Sequence, residues 1–169
     1  RLWERQALMT LQASDRLVIF GITGDLARKM TLPTLYRLER RGILRVPILA
    51  VAFDDWTHEQ LVKHAHDSIE KVEGSVDEAV FARLAQRLTY CHGDFKDPAL
   101  YDEIGKMIKG SVAPTYYLEI PPGLFVTVAQ QLVAAGLMRG DARIVFEKPF
   151  GTSYESAVEL NKTLHSIMR

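Results

Sequence analysis

With one cysteine, Cys91, among 169 residues, the chain can form no internal disulfide. No Cys/His cluster has the spacing of a zinc site either. Excess charge of one sign is also missing. There are 21 Lys and Arg against 21 Asp and Glu, for a net charge of zero, and the isoelectric point is near 7.2. That balance gives no support to a nucleic-acid partner or an acidic membrane surface. No apolar run approaches the length needed to span a bilayer. The opening residues lack the basic start, apolar stretch and small-residue cleavage site of a secretory leader. The expectation is a soluble, cytoplasmic protein without a metal site. Because the chain opens on Arg1 rather than Met, it is also expected to start inside a longer reading frame.

What is present is an ordinary globular composition. Hydrophobic residues make up 47% and charged ones 25%, which argues against disorder, and the length fits one domain with a single core. Residues 1–14 read as a partly helical leader. After them, Leu17, Val18, Ile19 and Phe20 form a short apolar run closed by Gly21, the pattern of a strand buried on both faces. A helix is expected from 25 to about 40, kinked or split by Pro33, and a second continuously apolar strand over 48–53. Thr57 and Gln60 make a capping-box pair for a helix to about 72, and Ser75 is expected to cap the next. A strand at 88–91 leads to Asp97-Pro98, the order of a helix start. Residues 115–120 form a fourth strand stopped by Pro121-Pro122-Gly123. A helix at 125–138, a strand at 143–146 and a last helix opened by Ser153 complete the pattern. Short apolar strands alternating with helices predict a doubly wound α/β domain with a mostly parallel sheet and helices on both faces. That domain covers 15–169.

In such a sheet, ligands bind beyond the carboxyl ends of the strands. The first strand runs directly into Gly21-Ile22-Thr23-Gly24-Asp25-Leu26-Ala27. Gly21 allows a tight turn, Gly24 lets the backbone approach a diphosphate, and Ala27 lets the helix pack closely on the strand. The spacing G-x-x-G-x-x-A is a variant of the dinucleotide fingerprint. A tight strand-to-helix turn without a ligand is the plain alternative.

Residues 17–29, from Leu17 to Lys29, resemble the start of the glucose-6-phosphate dehydrogenase family, as does Leu32-Pro33-Thr34-Leu35-Tyr36-Arg37-Leu38. Farther on, Tyr117-Leu118-Glu119-Ile120-Pro121-Pro122 and Val145-Phe146-Glu147-Lys148-Pro149-Phe150-Gly151 are similar to two more of its motifs, in the same order. The resemblance implies a Rossmann-like domain that binds NADP or NAD. In the intact enzyme, glucose 6-phosphate is oxidised at C1 to the 6-phosphogluconolactone, opening the pentose phosphate route. It further implies a larger C-terminal α+β domain and a homodimer or homotetramer.

Carried over residue by residue, the resemblance implies coenzyme contacts at Gly21, Thr23, Gly24, Asp25, Leu26, Phe53, Asp54, Asp94, Phe95, Pro121 and Lys148. Asp94 would accept from a ribose or amide, or simply cap the following helix, while Phe95 supplies an apolar wall. Lys148 would reach coenzyme and substrate and stabilise the transition state by its charge; pairing with Glu147 is its bland alternative. None of His58, His64, His66, His92 and His165 falls beside the Lys148 loop, and all five read as surface or capping residues. Trp3 and Trp56 read as packing residues, and Cys91 as inert core.

The chain contains neither the family's Arg-Ile-Asp-His-Tyr-Leu-Gly-Lys-Glu motif nor the histidine base beyond it. No catalytic residue is assigned here, and the 169 residues are expected to bind coenzyme without turning over. Two further departures are Met30, where the family commonly has a third basic residue, and Phe53, where it commonly has arginine. Phe53 cannot pair with a 2′-phosphate, and Asp54 and Asp55 would repel one, which points toward NAD. The plain alternative is that those acids only lead, solvated, into the next helix, and Arg28 and Lys29 could reach across. Two rival readings remain. An unrelated reductase would need a Tyr-x-x-x-Lys pair, which is not found, and a nucleotide-sensing module would need no catalytic groups.

Overall fold

The computed structural model describes residues 13–146. Five strands form one sheet: β1 (Arg16–Phe20), β2 (Ile48–Ala52), β3 (Leu88–His92), β4 (Pro114–Leu118) and β5 (Arg143–Phe146). Their order across the sheet is β3-β2-β1-β4-β5, and every neighbouring pair is parallel. The helices are α1 (Leu32–Arg40), α2 (His58–Glu73), α3 (Glu78–Arg87), α4 (Pro98–Met107) and α5 (Phe125–Ala134). The doubly wound expectation holds.

Side chains alternate across a strand, so the continuously apolar strands supply two cores at once. Leu17, Ile19, Ile48, Ala50 and Ala52 face α1, α2 and α3. Val18, Phe20, Leu49, Val51, Tyr116 and Leu118 face α4 and α5. β2 and β3 lie on one side of β1 and β4 on the other, so the strand order reverses between β1 and β4. That reversal opens a crevice at the carboxyl ends of the two strands.

Local chemistry places most element ends. The Thr57 hydroxyl accepts from the Gln60 N–H while the Gln60 side chain accepts from the Thr57 N–H, completing the capping box of α2. Asp97 caps α4 with Pro98 in its first turn. Elsewhere the expectation needs correcting. Asp77, not Ser75, caps α3, because its carboxylate reaches the N–H groups of both Ala79 and Val80. The fourth strand ends at Leu118, and α5 ends at Ala134, before Gly136 takes a left-handed φ of 73°. Pro33 neither breaks nor splits the first helix. A π-helical turn (Ala27–Thr31) precedes it and runs straight into α1, with the Leu32 N–H bonded to the Ala27 carbonyl. The wider turn accommodates the proline ring and its missing N–H.

Candidate functional site

The crevice begins at Gly21. Its N–H donates to the Val51 carbonyl at 2.7 Å, while the Glu119 N–H donates to Phe20 at 2.8 Å, so β1 ends clamped between its two neighbours. Gly21 has a φ of +92°, and a Cβ on it would lie 2.2 Å from the Glu119 carbonyl oxygen. Both the backbone angle and the close approach demand glycine. The chain then closes a turn through Gly24 N–H to Gly21 C=O at 3.0 Å, with the Ile22 side chain buried in the core.

The Arg28 N–H bonds to the Gly24 carbonyl at 3.1 Å, which makes Gly24 the start of the helix. The N–H groups of Asp25, Leu26 and Ala27 therefore have no partner within the helix, and they sit at its positive end. A Cβ on Gly24 would meet only the Gly21 carbonyl oxygen, at 3.3 Å. That contact is tighter than a Cβ ordinarily makes, so the turn favours glycine here too, though far less strictly than at Gly21. Thr23 is half-buried, and Gly24, Asp25 and Leu26 are exposed. Asp25 is engaged by Arg28 across one turn. Exposed backbone donors at a helix start fit a diphosphate.

The loop after β2 forms the adjoining wall. Phe53 is 71% exposed, unusual for a large aromatic. Asp54 is half-buried, and its carbonyl accepts both the Tyr90 hydroxyl and the Trp56 N–H. Burial, with the nearby Asp54 and Asp55 carboxylates, pushes the Tyr90 phenol up to about 12, so it remains a donor at neutral pH. After β3, the Gly93 N–H bonds to Ala52 at 3.0 Å and sets the next loop beside this one. Asp94 does not cap α4. Its carboxylate accepts from the Lys96 N–H at 2.9 Å in a local turn, and the cap is Asp97. The Phe95 ring stands edge-on to Phe20, centroids 5.7 Å apart. After β4, exposed Pro121 leads into a short 3₁₀ turn (Pro122–Leu124).

Adjacent strand ends thus bring together Gly21 to Leu26, Phe53 and Asp54, Asp94 and Phe95, and Pro121. Lys148, Glu147, Pro149, the first twelve residues of the 1–14 leader and the helix expected from Ser153 lie outside the described residues. So do Trp3 and His165. Among the described residues, no group of three His, Cys, Asp or Glu could hold a metal ion, and no helix is long and apolar enough to cross a membrane. Cys91 is buried, and burial raises its thiol above the ordinary range, which keeps it unreactive.

One histidine departs from the expected surface role. The His58 Nε2 contacts the Leu88 carbonyl at 2.8 Å, and His66 pairs with Glu78 at 3.0 Å. His64, by contrast, is half-buried with its Nε2 sealed from solvent. Burial first, and Arg28 after it, hold its pKa below the usual histidine range. The signal was available: Leu61, Ala65, Ser68 and Ile69 are the buried stripe of α2, and position 64 falls on it at helical spacing.

Residues 18–169 match the family described as glucose-6-phosphate dehydrogenase, NAD binding domain. The chain is 53% identical over 156 residues to glucose-6-phosphate 1-dehydrogenase 1 of Mycobacterium tuberculosis, covering 92% of this chain and 33% of that protein. Against the glucose-6-phosphate 1-dehydrogenase of Dickeya dadantii the identity is 35%, covering 90% and 32%. A crystal structure of the Mycobacterium avium glucose-6-phosphate 1-dehydrogenase superposes with a TM-score of 0.88 at 50% identity, over 93% of this chain and 34% of that one. A glucose-6-phosphate dehydrogenase in complex with its substrate glucose-6-phosphate gives 0.79 at 29%, over 90% and 34%. The chain spans about a third of the length of the curated relatives it matches.

Proposed function

The chain belongs to the glucose-6-phosphate dehydrogenase family through its NAD binding domain, and from that premise we propose that it is the coenzyme-binding part of an enzyme that converts D-glucose 6-phosphate and NAD(P)+ to 6-phospho-D-glucono-1,5-lactone and NAD(P)H. The observation that carries this reading is the turn at Gly21 to Ala27. Exposed helix-start N–H groups follow directly on β1, and Gly24 stands beside them with only 3.3 Å between a Cβ there and the Gly21 carbonyl oxygen. The residues present fit a dinucleotide. Gly24 and the N–H groups of Asp25, Leu26 and Ala27 take the diphosphate; Phe53, Asp54, Asp94 and Phe95 flank the adenosine half; Pro121 borders the other side of the crevice.

The nicotinamide ring, when bound, accepts the hydride released from C1 of the sugar. The chain's part is to hold that ring's tether in a fixed crevice between β1 and β4. By the family resemblance, Lys148 reaches both coenzyme and substrate and stabilises charge there. A base that takes the C1 hydroxyl proton is needed within hydrogen-bond reach, and no residue of these 169 is assigned that role. The isolated chain therefore binds coenzyme and does not turn over.

NAD serves at least as well as NADP. Exposed Phe53 offers no charge to a 2′-phosphate, and the acidic Asp54 and Asp55 beside it disfavour one. Calorimetric titration of the chain with each coenzyme tests the binding, and Gly24→Val, if folded, loses it. Wild-type affinity in a folded Gly24→Val chain would exclude the turn as the site. For the choice of coenzyme, kcat/KM is compared on the intact enzyme with Phe53→Arg beside it. The substitution shifts preference toward NADP, and a strong wild-type preference for NADP left unmoved by it refutes the assignment.

A further inference from the structure

The loop that follows β2 is held at points on either side of Phe53. Before it, the Ala52 carbonyl accepts from the Gly93 N–H at 3.0 Å. After it, the Asp54 carbonyl accepts the Tyr90 hydroxyl and, at 2.9 Å, the Trp56 N–H. A planar peptide leaves only two soft dihedrals per residue, so two fixed carbonyls this close together leave Phe53 and Asp54 little freedom. Tyr90 is itself well anchored. It stands on β3 opposite Ala50, packs against the core that faces α2, and meets the Trp56 ring at 6.5 Å. Burial keeps its phenol protonated at neutral pH, so the hydroxyl is there to donate.

The two acids of the loop differ in what holds them. The Asp55 carboxylate lies 3.6 Å from Nδ1 of His92, which shares a face of β3 with Tyr90 two residues earlier. The Asp54 carboxylate makes no hydrogen bond or ion pair among the described residues. Tyr90 grips the main chain of Asp54 and leaves its side chain to a ligand. We propose that Tyr90 is a positioning residue for the choice of coenzyme: its hydroxyl fixes the main chain at Asp54 so that this carboxylate, rather than that of Asp55, meets the 2′ position of the adenosine ribose. This rests on the coenzyme site proposed above.

A carboxylate there accepts from a free ribose hydroxyl and repels a 2′-phosphate. A fixed Asp54 therefore strengthens NAD and weakens NADP, and fixing it beforehand lowers the ordering cost of binding. Freeing it reverses both effects. NAD loses a well-placed acceptor, and NADP meets a charge that can swing aside. A tyrosine that merely supported the fold would weaken both coenzymes alike.

Tyr90→Phe keeps the ring against Trp56 and removes only the hydroxyl. The Asp54 carbonyl still has the Trp56 N–H, so no acceptor is stranded. Asp54→Ala removes the carboxylate and leaves the carbonyl for Tyr90. The 169-residue chain is titrated by calorimetry with NAD and with NADP, as wild type, both single variants and the double variant. Urea transitions report folding. In Tyr90→Phe the Kd for NAD should rise about five- to tenfold, the worth of one hydrogen bond, while that for NADP stays within about twofold or falls. Asp54→Ala should lower the NAD preference by at least as much. Adding Tyr90→Phe to Asp54→Ala should then change that preference by less than about twofold, because Tyr90 acts through Asp54. An unchanged preference in either single variant overturns the proposal. So does an equal weakening of both coenzymes in Tyr90→Phe, or a full further shift in the double variant. A Tyr90→Phe chain without a cooperative urea transition also overturns it, since the hydroxyl would then serve the fold. If the wild-type chain binds neither dinucleotide, the coenzyme reading fails with it; if it binds and only the variants disagree, the role of Tyr90 alone is wrong.

Discussion

Gly21 and Gly24 stand three residues apart and are glycine for different reasons. At Gly21 a side chain would need a left-handed backbone and would strike the Glu119 carbonyl at 2.2 Å. Gly21→Ala should lower stability by about 3 kcal/mol or more, read from a urea transition. At Gly24 the backbone angle is not left-handed, and a Cβ would press on one backbone atom, the Gly21 carbonyl oxygen, at 3.3 Å. Gly24→Ala should cost about 1 kcal/mol, well below the loss at Gly21, while weakening coenzyme binding. The two variants thus separate fold from ligand, and equal destabilisation in both would contradict the distinction. Asp15 makes a second residue-scale case at the opposite end of the sheet. Burial alone would raise its pKa, but hydrogen bonds from the Ser111 hydroxyl and the Val112 N–H, with Ala113 and Arg16 behind them, hold it below 3.8. A depressed carboxylate stabilises the fold above its unfolded pKa, and that contribution is lost as pH falls through the folded value. Asp15→Asn should therefore lower stability at pH 7 and flatten its decline in acid, as urea midpoints across pH 2 to 7 would record (an approximate range).

Between elements, one buried ion pair joins α1 to α3. Glu39 is 3% exposed and accepts from Arg87 at 2.6 and 3.4 Å. Removing one partner strands a buried charge, so Arg87→Ala should cost about 3 kcal/mol. Glu39→Met combined with Arg87→Met should recover most of that loss, and a double variant no more stable than Arg87→Ala would count against the pairing. At this scale the sequence was a good guide wherever the deciding interaction was local. Thr57 with Gln60, and Asp97 before Pro98, each carry their hydrogen-bond partners within three residues. Ser75 and Asp77 could not be separated so simply, because the chain enters α3 in a conformation set partly by the Tyr36 hydroxyl, 41 residues away, bonding the Asp77 N–H. Pro33 signalled a disturbed helix, but whether it breaks or widens depends on how tightly the preceding turn packs on the sheet. The glycine turn was legible because its spacing, directly after an apolar strand, is a sequence property, whereas the strand order that sets a crevice beside it is not. The contact of the His64 ring with Trp56, centroids 4.9 Å apart, joins a helix to the loop before it, and no local pattern writes it.

At the scale of the whole molecule, the reversal of strand order places the crevice between β1 and β4, where both cores meet the same strand. Ile19 belongs to one core and Phe20 to the other, so the glycine turn hangs from the central strand of the sheet. A ligand seated there is linked to global stability, because the turn cannot keep its shape once β1 leaves the sheet. Anything that binds only the folded state stabilises it by RT ln(1 + [L]/Kd), about 2.7 kcal/mol at a hundred times Kd. The 169-residue chain should therefore melt in one transition whose midpoint climbs with the logarithm of NAD concentration, by about 3 °C per kcal/mol for a domain of this size. The same sample given glucose 6-phosphate and NAD should form no NADH, since the chain offers no assigned base for the sugar hydroxyl. Gly24→Val should melt below wild type, because its Cβ presses on the Gly21 carbonyl oxygen, and its midpoint should stay indifferent to NAD. A midpoint that NAD leaves unmoved in the wild-type chain would detach the crevice from the coenzyme, whereas steady NADH formation by material of confirmed mass would mean that a base within these residues has gone unrecognised.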